Sequence, residues 1–308
     1  MIKVFIDGRE GTTGLRIEER LSARGDIALI KLPDARRKDA VARKDAINFS
    51  DVTFLCLPDA AAKEAVSFAN DKVKIIDAST AHRTLDGWAY GFPELSPGHR
   101  SAIKSGKRVA VPGCHASGFS ALVYPLIKTG AVNTDYPFVC HSLTGYSGGG
   151  KSMIAEYTDG NRNPLLKTHA QYALTQGHKH LPEMTKVSGI AHPPVFCPVL
   201  GDFYSGMEVT VPLFSRLTNG LTVEKAHGLF SKYYANEPFV KVLPLGDIGR
   251  LYAGQKSGSD GMEIYIGGND ERIILSAVFD NLGKGASGAA VQCFNIMCGL
   301  PEEIGLTI

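Results

Sequence analysis

The chain has 308 residues, 44% of them hydrophobic and 21% charged, a balance that excludes a disordered half and leaves room for two domains of ordinary size. Thirty-three Lys and Arg against thirty-one Asp and Glu leave a net charge of +2, so no global field directs the chain toward nucleic acid or an anionic membrane, and a small-molecule partner is expected. The N-terminus MIKVFIDGREGTTG has no signal-peptide pattern and no run of about 18 apolar residues occurs, which together predict cytoplasmic residence.

The first predicted element is a strand over KVFID (3–7). It runs directly into GREGTTG, whose Gly8, Gly11 and Gly14 stand three apart, and then into a helix in which Leu15, Ile17 and Leu21 recur at helical spacing up to Gly25. Strand, glycine turn and helix in this order let a chain bend sharply and offer a pyrophosphate the N–H groups of the helix N-terminus. The spacing is GxxGxxG rather than GxGxxG, and a tight surface turn has the same pattern. IALIKL (27–32) reads as a second buried strand. It ends in PDARRKD, which puts Arg36, Arg37 and Lys38 beyond its C-terminal end, where a basic cluster suits the 2'-phosphate of NADP and an acidic residue would suit the ribose hydroxyl of NAD. Asp34 in the same loop, and plain solvation of a charged turn, compete with that reading.

DVTFLCLP (51–58), VKIIDAS (73–79) and RVAVPGC (108–114) follow as strands at the intervals of a repeated βα unit, with DAAAKEAVSFAN between the first two as a helix, so a parallel sheet is expected. The last of these strands delivers Cys114 to its C-terminal end, the edge of an open α/β sheet where ligands bind. From about residue 132 the pattern changes to DYPFVCHSLTG, VFCPVLG, GMEVTVPLF, EIYIGG and RIILSAVFD, separated by short helical stretches such as TVEKAHGLFSKYYAN. These predict a mainly antiparallel sheet with one face available to another subunit. The six cysteines, Cys56, Cys114, Cys140, Cys197, Cys293 and Cys298, show neither CxxC nor a matching His spacing, so neither a disulfide framework nor a metal site is expected. All but Cys114 read as packing residues.

Seven stretches, GREGTTG, DASTAHR (77–83), YGFPEL (90–95), PGCHASG (112–118), TGYSGGGK (144–151), GHKHLPEM (177–184) and DNLGKGASGAAVQ (280–292), together resemble the N-acetyl-gamma-glutamyl-phosphate reductase family in its shorter type 2 branch, a relative of aspartate-semialdehyde dehydrogenase. The resemblance implies NADPH-dependent reduction of N-acetyl-L-glutamyl 5-phosphate to its 5-semialdehyde with release of phosphate, through a cysteine thioester, in arginine biosynthesis. It implies an α/β fold: a Rossmann-like NADP-binding domain over 1–115 and 284–308, closed by the C-terminal helix, and an α+β catalytic and oligomerisation domain over 116–283 with a mainly antiparallel sheet. It also implies a homodimer or homotetramer.

A thiolate that displaces phosphate leaves a thioester, an electrophile suited to hydride, and Cys114 is the expected nucleophile. An ordinary thiol has a pKa of about 8.5 and is mostly protonated at neutral pH, and the N–H groups of a helix starting near Ala116 would favour the thiolate. His115 is not given the base role, because adjacent side chains on an extended segment point to opposite faces. His178 and His180 share a face if their segment is extended. The resemblance places their motif in the active site, with His180 as the expected general acid/base and His178 as second choice. An acyl phosphate with a free carboxylate needs cations or N–H donors at both ends, and the resemblance supplies Arg83, Ser147 and Lys151. It further implies NADP(H) contacts at Gly8, Gly11, Thr12, Thr13, Gly14, Ser79, Asn281 and Gly283, beside Arg36 and Arg37. The sequence departs from the longer branch at Arg9 and Glu10, where small residues are common and a carboxylate would repel a pyrophosphate unless it points outward. Another departure is His115, where an aromatic is common. Aspartyl phosphate or a carrier-bound aminoadipyl phosphate as substrate, and a non-catalytic NADP-binding sensor with an inert thiol, stay open at this level.

Overall fold

Short strands that are apolar on both faces open the chain, the pattern of a parallel sheet covered on two sides. The computed structural model describes residues 1–308. Strands β1 (Ile2–Asp7), β2 (Ile27–Ile30), β3 (Val52–Leu55), β4 (Lys74–Asp77), β5 (Ala89–Tyr90) and β6 (Arg108–Ala110) pair in the order β2-β1-β3-β4-β6-β5, every pairing parallel. Helices α1 (Thr12–Ser22), α2 (Ala40–Phe49), α3 (Asp59–Phe68) and α4 (Pro97–Ser105) lie between them in sequence. With Ala286–Thr307 from the far end of the chain, these elements form one unit, Met1–Pro112.

The second unit is Gly113–Gly285 with Ile308. It contains α5 (Cys114–Lys128), β7 (Val139–Gly145), α6 (Gly150–Thr158), β8 (Ala170–Gln171), α7 (Leu181–Ser188), β9 (Val195–Gly201), β10 (Met207–Phe214), α8 (Val223–Tyr233), β11 (Val240–Val242), β12 (Met262–Gly268) and β13 (Arg272–Phe279). Its sheet runs β11-β12-β13-β10-β7-β9-β8. Pairings are antiparallel at β12–β13, β13–β10, β10–β7 and β8–β9, and parallel at β7–β9 and β11–β12. The sheet is therefore mixed. The two parallel pairs are those joined by long connections, 146–194 and 243–261, which carry the chain back to the starting end of the sheet before the next strand begins.

One face of this second sheet carries α5. A Cβ on Gly118 would lie 2.5 Å from Val209 Cγ2, so a glycine inside the helix, which costs about 1 kcal/mol relative to alanine, is what admits the close helix–sheet approach. The other face is open. Val195 is 56% exposed, Phe214 49% and Ile274 42%, and Pro212 opposite Ile274 is exposed as well.

In the first unit the alternation of side chains along each strand divides the core in two. Phe5, Leu55 and Ile75 face Ala46 and Ile47 of α2 and Ala62 and Ala65 of α3. Val4, Ile6, Phe54 and Ile76 face Ile17 and Leu21 of α1, Ile103 of α4, and the last helix, α9 (Gly288–Met297). Phe294 of α9 is fully buried with its ring centroid 5.8 Å from that of Phe54. Asn295 anchors the same helix: its Oδ1 accepts from Arg24 Nη1 at 2.7 Å, and its Nδ2 donates to the carbonyls of Glu302 and Ile304 at 2.9 and 3.0 Å. Truncating the ring in Phe294→Ala leaves a cavity between α9 and β3 and is expected to lower the unfolding free energy by about 3–5 kcal/mol in urea titrations. A loss under about 1 kcal/mol would show that α9 does not close this core.

Candidate active site

The order of the first sheet reverses at β1, with β2 on one side and β3 on the other, and ligands of open α/β sheets bind beyond the strand ends at such a reversal. Gly8 follows β1 there with φ +83°, and a Cβ on it would fall on the carbonyl oxygen of Cys56, just past β3. A Cβ on Gly14 would sit 2.6 Å from the carbonyl oxygen of Gly8. Both positions therefore require glycine, whereas Gly11 has ordinary room. The loop lies against the strand ends and leads into Thr12 and Thr13, the start of α1, which no side chain caps.

A cleft of about 350 Å³ opens beside this loop, with Gly8, Arg9, Leu32, Arg37, Lys38 and Leu57 on its walls. Arg36 is not among them. Its guanidinium pairs with Asp39 at 3.3 Å, so of the two arginines expected at a 2'-phosphate, Arg37 lines the cleft. Glu10 lies 3.4 Å from Arg9 Nε and 3.9 Å from Arg37 Nη1, and its charge is thus compensated by two guanidiniums. Glycines that admit no side chain, an uncapped helix N-terminus, leucine walls and a cationic rim fit a phosphorylated dinucleotide such as NADP(H).

At the end of β4 the DASTAHR segment closes on itself. Asp77 accepts from the Ser79 N–H at 2.9 Å and the Ser79 hydroxyl at 2.7 Å, and its Oδ2 lies 2.6 Å from His82 Nδ1. The Ser79 hydroxyl also accepts from the Ala81 N–H at 3.2 Å, so it is used inside the turn. Arg83 donates through Nε to the Val111 carbonyl at 2.9 Å and through Nη2 to that of Ala78 at 3.1 Å, which fixes its guanidinium near the ends of β4 and β6.

Cys114 is the first residue of α5, not the last of a strand. β6 stops at Ala110, and Gly113, extended at φ −76° and ψ 145°, is the N-cap. The Gly113 N–H donates to Glu183 Oε1 at 2.8 Å, and its carbonyl accepts from Ser117 N–H at 2.8 Å to close the first turn. The sulfur therefore stands at the positive end of a 15-residue helix that no side chain caps, a place that stabilises a thiolate. His115 is helical too, so the argument from an extended segment does not apply. What removes it from base chemistry is its surroundings. Nδ1 lies 2.7 Å from Ser142 Oγ and Nε2 2.8 Å from Tyr172 Oη, and burial first, then the charges of His178 and Lys179, push its pKa down to about 3.

His178 and His180 sit in the turn before α7, with His180 as its N-cap, rather than on an extended segment. The His180 N–H donates to His178 Nδ1 at 3.2 Å, so neutral His178 carries its proton on Nε2. Burial, then Lys179, lowers the His178 pKa and keeps the ring neutral at pH 7. The centroids of His178 and His180 are 4.8 Å apart, and those of His115 lie 5.7 and 5.4 Å from them, so three imidazoles gather beside the start of α5. Asn281, in contrast, is committed within the second unit: Nδ2 donates to buried Ser147 Oγ at 3.0 Å and Oδ1 accepts from Gly206 N–H at 2.8 Å. A Cβ on Gly283 would fall on the Ser259 carbonyl oxygen, and Lys151 is exposed in the first turn of α6.

Glu183, Tyr172 and Ser142 escaped the sequence reading. Glu183 had a local signal, because it stands three residues after His180 in the first turn of a helix capped there. Tyr172 and Ser142 had none, since the sheet brings them to His115.

His115 ionises near pH 6.5 when exposed and near pH 3 when folded. As pH falls through this window the unfolded chain binds the proton first, so the stability present above pH 6.5 is lost progressively toward pH 3. His115→Gln lacks that titration. The gap in unfolding free energy between the native protein and this variant should narrow from about pH 7 to about pH 4.5 in urea titrations, and a constant gap would show that the ring titrates alike in both states.

Comparison with known proteins identifies the family and the fold. Residues 3–104 match the family model of the semialdehyde dehydrogenase NAD binding domain, and residues 114–281 that of the semialdehyde dehydrogenase dimerisation domain. The chain is 46% identical to N-acetyl-gamma-glutamyl-phosphate reductase 2 of Nostoc, with 99% of each chain covered. It is 44% identical to N-acetyl-gamma-glutamyl-phosphate reductase of Burkholderia cenocepacia, covering 96% of this chain and 97% of that one. Among solved structures, aspartate semialdehyde dehydrogenase from Francisella tularensis superposes with a TM-score of 0.72 at 18% identity, over 97% of this chain and 100% of that one. Aspartate semialdehyde dehydrogenase with NADP from Candida albicans gives 0.69 at 14%, over 99% of both. Two family models that span most of the chain, and relatives matched nearly end to end, place it in the N-acetyl-gamma-glutamyl-phosphate reductase family of semialdehyde dehydrogenases.

Proposed function

We propose that this chain reduces N-acetyl-L-glutamyl 5-phosphate to N-acetyl-L-glutamate 5-semialdehyde with NADPH, releasing inorganic phosphate, as a step of arginine biosynthesis. The observation that carries this reading is Cys114 at the uncapped start of α5 with the His178–His180 turn beside it. NADPH, when bound, supplies the hydride.

The chain's own groups then have these tasks. The Cys114 thiol passes its proton to His180, and the thiolate forms a bond to the acyl carbon as the carbon–oxygen bond to phosphate breaks. When hydride adds to the thioester carbon, His180 gives its proton to the carbonyl oxygen. It takes the proton back as the carbon–sulfur bond breaks, which frees the aldehyde and restores the thiolate. His178, neutral with its proton on Nε2, donates a hydrogen bond to the acyl oxygen. Arg83, Ser147 and Lys151 are assigned to the anionic ends of the substrate, and Gly8, Gly11, Gly14, Thr12 and Thr13 to the cofactor's pyrophosphate, with Arg37 toward its 2'-phosphate.

The open face of the second sheet supports self-association. Val195, Phe214 and Ile274 form an apolar surface on the unit that matches a dimerisation domain. A pair of copies joined through this face is the expected assembly. Phe214→Arg combined with Ile274→Arg should shift the mass measured by light scattering from oligomer to monomer. An unchanged mass would move the interface elsewhere.

The reaction itself is tested in reverse, by following NADP reduction at fixed phosphate with N-acetylglutamate semialdehyde and, for comparison, aspartate semialdehyde. Native enzyme should turn over the first substrate and require phosphate. Cys114→Ser should lose on the order of a thousandfold or more in turnover while still binding NADPH. A near-normal rate in that variant would discard the thioester route, and preference for aspartate semialdehyde would change the substrate.

A further inference from the structure

A glutamate three positions after a helix N-cap ordinarily turns back to accept the N–H of that N-cap residue, which closes a capping box. α7 has the residues for this closure, with His180 as its N-cap and Glu183 in its first turn. It makes other bonds instead. The His180 N–H donates to His178 Nδ1 at 3.2 Å, and Glu183 reaches to another helix, where its Oε1 accepts at 2.8 Å from the N–H of Gly113, the N-cap of α5. Glu183 is 1% exposed and Gly113 is buried, so water does not compete for this bond.

α5 could not supply such an acceptor itself. Its N-cap is a glycine, and its first turn, which includes Cys114, His115 and Ala116, contains no acidic side chain. The nucleophile's helix is therefore anchored at its first residue by the helix that follows the histidines. Cys114 meets a second fixed element as well. A Cβ on Gly285 would lie 2.9 Å from Cys114 Cβ, and the Gly285 N–H is tied to the Asp280 carbonyl at 2.9 Å, so this stretch of backbone stands against the cysteine more closely than a side chain would allow.

We propose that Glu183 is the positioning residue of the reaction centre: by accepting the Gly113 N–H from the first turn of α7, it sets the placement of Cys114, one residue after Gly113, relative to His180, three residues before Glu183. This role presupposes Cys114 as the nucleophile and His180 as the acid/base, as proposed above. Glu183 needs no contact with substrate to perform it. Sulfur, acyl carbon and imidazole must meet in one geometry, and a misplacement of about 1 Å can cost on the order of a hundredfold in rate. One carboxylate that belongs to the second helix and holds the first keeps the two groups in a common frame.

Two variants separate this role from plain support of the fold. Glu183→Gln keeps an oxygen for the Gly113 N–H, and Glu183→Ala has none. Hydrogen exchange of the Gly113 amide, resolved by fragmenting the peptide 111–119, should be about tenfold or more faster than native in Glu183→Ala and within about threefold of native in Glu183→Gln. Turnover in the semialdehyde assay should fall roughly 10–100-fold in Glu183→Ala, with KM for semialdehyde and NADP within about twofold, and Glu183→Gln should restore most of it. Fully buried Cys140 is the control for loosening of the second unit and should stay unlabelled by iodoacetamide in both variants. Native exchange at Gly113 in Glu183→Ala, or native turnover despite lost protection, overturns the proposal. So does labelling of Cys140 alongside the loss of turnover, because support of the fold then accounts for it. If Glu183→Ala does not fold, Glu183→Gln is read alone: protection kept with turnover lost, or protection lost with turnover kept, overturns the proposal equally. Should exchange respond as expected while the native protein leaves the semialdehyde unchanged, the link between the two helices stands and the substrate assignment falls.

Discussion

The hydrogen bond from the Gly113 N–H to Glu183 Oε1 joins the residue before the candidate nucleophile to the helix that follows the two candidate histidines. At 2.8 Å and fully buried, it ties the start of α5 to the start of α7. The consequences spread from there. The sulfur stands in the first turn of α5, His115 is turned into the protein, and the His178–His180 turn is held beside it. A charged acceptor for a backbone N–H is among the stronger neutral-to-ion hydrogen bonds, so it can hold two segments seventy positions apart in register.

The first unit depends on a different constraint, the absence of side chains. Gly8 and Gly14 are fixed by backbone oxygens of Cys56 and of Gly8 itself, so the turn at the reversal of strand order has no freedom to be anything but glycine. The cations around it are paired with carboxylates. Arg9 and Arg37 both lie within 4 Å of Glu10 on the rim, so the carboxylate that looked repulsive in sequence becomes a counter-ion.

Much of this was legible in advance, and for identifiable reasons. Strands that bury both faces, a glycine turn and a following amphipathic helix are local patterns, and β1, α1, β3 and β4 follow them closely. The motifs that carry the family resemblance could likewise be read by position, and the family is the one that the relatives belong to. What failed was anything decided by a partner distant in sequence. RVAVPGC is apolar enough for a strand to its last residue, but Gly113 caps a helix there, and the small residues after it suit the close packing on Val209. The alternation in VFCPVLG shows a strand and its faces, yet not that β9 runs parallel to β7. Arg36 and Arg37 are adjacent and chemically alike, and only the direction of the chain decides which one meets the cleft. Tyr172 lies in a polar loop with no periodicity, and its relation to His115 exists only once β8 and β9 have paired.

The place of α9 in the first unit has a consequence for how the polypeptide is made. A ribosome releases β1 through β6 early, but the helix that covers Ile6, Phe54 and Ile76 emerges only after Gly113–Gly285 has been synthesised. Until then one side of the nascent parallel sheet stays wet and adhesive, while the interposed segment already has everything its own sheet needs. Vectorial synthesis should therefore complete the middle of the polypeptide before its beginning, and the early strands would call on chaperone protection in the interval.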